Sequence, residues 1–244
     1  MSRAARRAVA ALALALATAL TGCATAAGPR ASPPPHDPIE RFNRAVYAFN
    51  DALDTALIRP VTVAYVNVVP EPVKFMVGNV FGNVADVWTG VNNLLQGKPL
   101  DALNDLARVV LNTTFGLYGL ADIATDLGFE RRREDFGQTL GVWGFESGPY
   151  LVLPFFGPSS LRDAIGLAVD SSYDPVWHAP QRNRHRNLAY GLRVIDTRST
   201  LLAGDRILQA AALDPYVLLR EGYLQRRRSM VYDGSPPPKD YDDD

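Results

Sequence analysis

Apolar residues recur every three to four positions through most of residues 37–232, which predicts a mainly α-helical body of short amphipathic helices. Phe42, Val46, Phe49 and Leu53 form the first stripe, with Asp37 as N-cap and Pro38 at the first helical position. The simplest reading of its phenylalanines is a core-facing stripe. Pro70 and Pro72 break the chain and start a segment with Val73, Val77 and Val80 on one face; Val87, Val91, Leu94 and Leu95 continue as a helix that Gly97 stops. Residues 101–112 are the cleanest amphipathic stretch: Leu103, Leu106, Val110 and Leu111 lie on one side, Asp105 and Arg108 on the other. A short helix follows over 161–169, then two longer ones over about 185–203 and 214–231. The last has Asp214 as N-cap, Pro215 at the first position and Arg226, Arg227 and Arg228 in its final turns, an order that suits the helix dipole.

One segment departs from the helical pattern. Residues 136–160 hold Gly137, Gly141, Gly144, Gly148 and Gly157 together with Pro149, Pro154 and Pro158, a density that forbids a long regular helix. Yet Tyr150, Leu151, Val152, Leu153, Pro154, Phe155 and Phe156 are the most hydrophobic run downstream of the N-terminal segment. The expectation is an apolar, Gly/Pro-hinged hairpin that either packs in the core or meets lipid. Large residues at Gly141 or Gly144 should distort it.

The N-terminus changes the arithmetic. Arg3, Arg6 and Arg7 precede an apolar run from Ala8 to Leu20, which is shorter than the roughly 20 residues that span a bilayer. Leu20-Thr21-Gly22-Cys23 then reads as a bacterial lipobox that places the one cysteine of the chain at the lipid-attachment position. This makes 1–22 a lipoprotein signal peptide and 23–36 a lipidated, Pro-rich tether; 37–232 is the folded domain, and 233–244 a disordered acidic tail. Each buried acyl CH₂ contributes about 0.8 kcal/mol, so a multiply acylated cysteine is a stable anchor. Ala24, not Asp, follows Cys23, which favours the outer membrane. Removing residues 1–22 takes away three arginines and no acid, so the net charge moves from −1 to −4. That balance argues against nucleic acid as a partner, and a lone cysteine excludes a disulfide framework.

Catalytic patterns are missing. Gly144-Phe-Glu-Ser147-Gly148 has the wrong spacing for a nucleophile elbow, and there is no P-loop. His36 lies in the tether, and His178 and His185 do not share the spacing of a helical metal pair. Asp101, Asp105, Asp122 and Asp126 fit solvated helix faces and caps better than paired catalytic carboxylates. The expectation is no enzyme, no metal and no cofactor. Arg131-Arg132-Arg133 and the stretch Arg182 to Arg186 could meet anionic head groups; the plain alternative is a solvated turn.

Several ordered blocks resemble the MlaA (VacJ) family of outer-membrane lipoproteins across about 37–232. They are Asp37 to Asn50, Arg59-Pro60 through Pro72, Gly78 to Gly97, Arg108 to Gly116, Asp135 to Asp163 with Gly148-Pro149-Tyr150 at its centre, and Asp214-Pro215-Tyr216 with Arg220, Glu221 and Tyr223. The resemblance implies a ring-like helical body around a central amphipathic channel, lying in the periplasm-facing leaflet. It implies removal of mislocalised phospholipid from the outer leaflet and delivery to a periplasmic MlaC-like carrier. It also implies association with a trimeric outer-membrane porin in some bacteria. The alternative is a non-transporting lipoprotein that scaffolds a porin or another envelope complex. Candidate channel or hairpin residues are Gly141, Gly144, Gly148, Pro149, Tyr150, Leu151, Leu153, Pro154, Phe155, Phe156 and Gly157. Asn43 and Asn50, seven apart on one helix face, are candidates for a polar path.

Overall fold

A computed structural model describes residues 37–178, 183–211 and 213–238. The segments read from the sequence as signal peptide and tether, with Cys23 and His36, lie outside the described residues, as do Arg182 and residues 239–244. Ten α-helices and one two-stranded sheet follow in order among the described residues. They are α1 (Glu40–Leu53), α2 (Arg59–Val68), α3 (Glu71–Leu95), α4 (Pro99–Thr114), α5 (Ile123–Asp126), α6 (Phe136–Val142), strands β1 (Tyr150–Leu153) and β2 (Gly157–Ser160), α7 (Leu161–Tyr173), α8 (Pro175–His178), α9 (Asn183–Ala211) and α10 (Pro215–Val231).

Helix ends follow ordinary chemistry. Asp135, Ser160 and Asp214 each accept a backbone N–H in the first turn of α6, α7 and α10. Gly97 follows the end of α3 at φ +76°, a left-handed conformation that glycine adopts without strain. Two local features differ from the sequence reading. Asp37 does not cap α1: the residue before that helix is Ile39, and Asp37 is buried in a polar network instead. Between α1 and α2 the chain makes a π-helical turn, Asp54–Ile58. Arg198 of α9 holds Asp54 there through two 2.8 Å hydrogen bonds, and Arg59 adds a third at 3.3 Å.

The larger difference concerns which side of each helix is buried. On α4, Ala102, Asp105, Arg108 and Asn112 face inward, and Asp105 and Arg108 are 1% and 0% exposed. Leu103 and Leu106, on the apolar side, are 59% and 58% exposed. On α3, the buried face is Gly82, Asn83, Asp86, Thr89, Asn92 and Asn93. The amphipathic pattern is therefore real but turned inside out. It also corrects the reading of Asp105 as a solvated carboxylate, and of Phe49 as a core residue, since that ring is exposed.

The polar seam between α3 and α4 is held by its own hydrogen bonds, with Asn83 Oδ1 and Asp105 Oδ1 left without a partner among the described residues. Arg108 donates to Asp86 at 3.1 Å, to both oxygens of Asp122 at 2.9 and 3.0 Å, and to the Phe129 carbonyl. Asn93 donates to Asp105 at 2.7 Å, and Thr139 to Asn92 at 2.8 Å. Asn112 donates to Asp122 and accepts from the Ala124 N–H, both at 2.9 Å. Arg131 adds ion pairs to Asp86 and Asp122 at 3.4 Å, so the first arginine cluster is partly built into the seam. Burial pulls the Asp122 carboxyl upward, but hydrogen bonds from Thr125, Asn112 and Arg108 outweigh it and lower its pKa to about 2.

The apolar core is small: Tyr150, Val152 and Tyr216, flanked by Val46, Tyr47, Val217, Tyr223 and Leu224. Residues just past α10 fold back onto the body. Asp233 pairs with Lys98 at 2.6 Å, and the Pro237 carbonyl accepts from Arg228 at 2.7 Å.

Candidate functional site

The site is the hairpin and the elements that hold it. β1 and β2 are antiparallel, with Tyr150 opposite Ser160 and Leu153 opposite Gly157. Alternation along β1 buries Tyr150 and Val152 and leaves Leu151 and Leu153 half-buried. Pro154 is half-buried at the tip, where Phe155 and Phe156 are 72% and 68% exposed. Phe155 adopts φ +69° and packs edge-on against Phe49 of α1, with ring centroids 5.5 Å apart.

The two asparagines of α1 fasten this hairpin by its backbone. Asn43 donates to the Tyr150 carbonyl at 3.0 Å and accepts from the Val152 N–H at 2.9 Å. Asn50 donates to the Leu153 carbonyl at 3.0 Å and accepts from the Phe155 N–H at 2.8 Å. Seven residues on a helix advance about 10.5 Å, close to three residues of strand, so the amides meet alternate stretches of β1. Asn43 is fully buried, and both of its amide ends are committed to protein partners.

On the far side, α10 supplies the aromatic support. The Tyr150 ring lies 6.1 Å from both Tyr216 and Tyr223, in edge-on geometry. Tyr223 donates to Asp163 at 2.7 Å, and Arg227 bridges Asp163 and Asp135, tying α10 to the starts of α6 and α7. Burial alone would raise the Asp163 carboxyl; the Arg227 charge and hydrogen bonds from Arg227 and Tyr223 hold it below its ordinary value.

The glycines differ in role. A Cβ at Gly141 would lie 2.7 Å from Val231 and 2.8 Å from the Arg162 guanidinium, so this position is a close-packing contact between α6 and α10. Gly144 has φ +93° and open space around it; it turns the chain out of α6. Gly148 and Pro149 lead into β1, and Gly157 begins β2.

Two apolar grooves open on the surface. One of about 400 Å³ lies between the hairpin (Leu153, Pro154, Phe156) and α7 (Ala164, Leu167, Ala168). A second of about 540 Å³ lies between the π-turn and α2 (Leu57, Ile58, Val61) and α9 (Leu188, Leu192, Ile195). Among the described residues, no group of three or more His, Cys, Asp or Glu side chains could hold a metal ion.

Sequence reasoning missed the partners of Asn43 and Asn50, because the strand they hold lies more than 100 positions away. It also missed Asp163, Tyr223 and Arg227 as the brace behind the hairpin; the only signals were the places of Asp163 and Tyr223 in two separate motif blocks and of Arg227 in the final turns of the last helix.

Comparison with known proteins shows the family. The profile of the family described as MlaA lipoprotein matches residues 35–230. The "Intermembrane phospholipid transport system lipoprotein MlaA" of Escherichia coli is 36% identical over 234 residues, covering 93% of this chain and 91% of that protein. Its namesake in Haemophilus influenzae is 33% identical over 227 residues, covering 91% and 90%. A solved structure, reported as the structural basis for maintenance of bacterial outer membrane lipid asymmetry, superposes with a TM-score of 0.69 at 34% identity, covering 80% of this chain and 98% of that one. This chain belongs to the MlaA lipoprotein family.

Proposed function

We propose that the protein is an outer-membrane lipoprotein that takes mislocalised phospholipid from the outer leaflet and passes it to a periplasmic carrier, without enzyme chemistry, so keeping the bilayer asymmetric. The observation that carries this reading is the reversed packing. Among the described residues, eighteen polar or charged side chains are buried against six apolar ones, while thirty-seven large apolar side chains are exposed. A water-facing surface does not tolerate that much apolar area, whereas a body lying in hydrocarbon needs it, with its polar groups satisfied internally. No helix among the described residues is long and apolar enough to cross a membrane, which suits a body that lies in one leaflet.

The finer parts belong to the same proposal. Cys23 carries the lipid anchor after residues 1–22 are removed, and the segment up to residue 36 tethers the body. The helices surround a central channel, and the hairpin stands beside it. The groove between the hairpin and α7 offers a dry path for acyl tails, since apolar tails gain about 0.8 kcal/mol per CH₂ on leaving water. Gly144 lets the hairpin swing. A soluble MlaC-like carrier receives the lipid, and a porin partner holds the complex in place.

The test is the lipid content of the protein itself. Full-length protein extracted from membranes in mild detergent should carry phospholipid detectable by mass spectrometry. Leu153→Lys, which puts a charge into the apolar groove, should reduce that content several-fold. Lipid-free wild-type protein, or a Leu153→Lys variant with unchanged lipid, would contradict the proposal.

A further inference from the structure

We propose that Asp37 is a positioning residue for the hairpin: its buried carboxylate holds the Asn43 amide in the orientation the strand requires, and thereby latches β1 to α1 and α10 together. The proposal rests on the reading that places the hairpin on the lipid path. Its evidence is a shared set of contacts. Asp37 is fully buried, three residues before α1 begins. One carboxylate oxygen accepts from Asn43 Nδ2 at 2.8 Å. The other accepts from the Tyr216 hydroxyl at 2.5 Å and from Arg220 Nη1 at 3.0 Å.

A carboxylate paired with an arginine can only accept hydrogen bonds, so the NH₂ end of the Asn43 amide must face it. The remaining amide hydrogen then reaches the Tyr150 carbonyl, and the amide oxygen is left pointing at the Val152 N–H. The opposite orientation would set oxygen against oxygen at Asp37 and donor against donor at Val152. Asp37 therefore asks for the same orientation as the Tyr150 carbonyl and the Val152 N–H, and holds it from the side away from the strand. Asn50 has no such guide among its hydrogen bonds, which all go to the hairpin itself. The other two partners of Asp37 come from α10, and the Tyr216 ring also packs on Tyr150. One carboxylate thus links the entry of the chain into the fold, the hairpin and the C-terminal helix.

The test is amide hydrogen exchange of the full-length protein in detergent, comparing peptides from the hairpin with peptides from α4. Asp37→Asn places an NH₂ where an acceptor is required. Hairpin exchange should rise by about ten-fold or more, the factor expected from losing a buried hydrogen bond to a charged group. Exchange in α4 should stay at the wild-type level. Asn43→Ala should give a similar rise, and adding Asp37→Asn to it should bring no further change. Tyr216→Phe keeps the ring and removes one donor; it should give a smaller rise in the same peptides, and it serves if Asp37→Asn does not fold. Unchanged hairpin exchange in Tyr216→Phe and Asp37→Asn, a rise shared equally by α4, or additive effects with Asn43→Ala would each overturn the proposal. Outer-leaflet phospholipid, assayed in cells carrying the same variants, separates the two layers of the account. A freed hairpin with wild-type lipid asymmetry upholds the role of Asp37 and overturns the place of the hairpin on the lipid path.

Discussion

Asp105 and Asp122 stand in one polar seam and respond to it in opposite ways. Burial pushes the Asp105 carboxyl above its ordinary range and the nearby Asp86 adds to this, against a hydrogen bond from Asn93. Its folded pKa thus exceeds its unfolded one, and ionised Asp105 costs stability at neutral pH; the cost disappears as pH falls through the folded value. Asp105→Asn should therefore raise the melting temperature at pH 7, with the gain shrinking to nothing on acidification. A variant less stable at pH 7, or a gain independent of pH, would contradict this. Asp122 has the opposite sign. With its pKa lowered from 3.8 to about 2, it contributes stability above pH 3.8 that is lost as pH falls toward 2. Asp122→Asn should cost about 2 kcal/mol at pH 7 in thermal or chemical unfolding, with the loss vanishing in acid. At this scale the sequence was only half legible. Asn43 and Asn50 stood out by their spacing, but an amide takes any donor or acceptor offered. Which one it takes depends on a strand that only the fold brings near.

Helices α3, α4, α9 and α10 announce themselves by period, caps and stop signals, because backbone geometry is local. Period does not say which face is buried. The same alternation of Leu103, Leu106 and Val110 with Asp105 and Arg108 serves a water-soluble bundle or a lipid-immersed one, and the solvent decides between them. The π-turn at Asp54 was not legible either, since it depends on Arg198, 144 residues later. The orientation of α4 yields a direct prediction. Leu103→Glu adds a charge on the outward face, where a charge in hydrocarbon costs about 2.5–3.5 kcal/mol. The variant should fold in detergent with wild-type stability but associate more weakly with membranes in a flotation assay once the lipid anchor is removed by Cys23→Ala. Loss of stability in detergent would place Leu103 in a core instead. On a face turned to water, the same change would leave membrane association unaltered.

For the whole molecule, the packing and the function have one cause. On the proposed reading, a chain lying in one leaflet pairs Asp86, Arg108, Asp122 and Arg131 with one another inside, and the apolar side chains left outside would meet lipid. Against that frame stands the hairpin, with two short strands, Tyr150 and Val152 buried in the apolar core, two exposed phenylalanines at the tip and two asparagine fasteners. The most direct measurement is the amount of phospholipid exposed in the outer leaflet of cells from which the gene is deleted, with complementation by the wild-type protein and by Cys23→Ala. Exposed phospholipid that rises on deletion, returns to normal with the wild-type protein and stays high with Cys23→Ala is the predicted result. An outer leaflet unchanged by deletion would contradict the account.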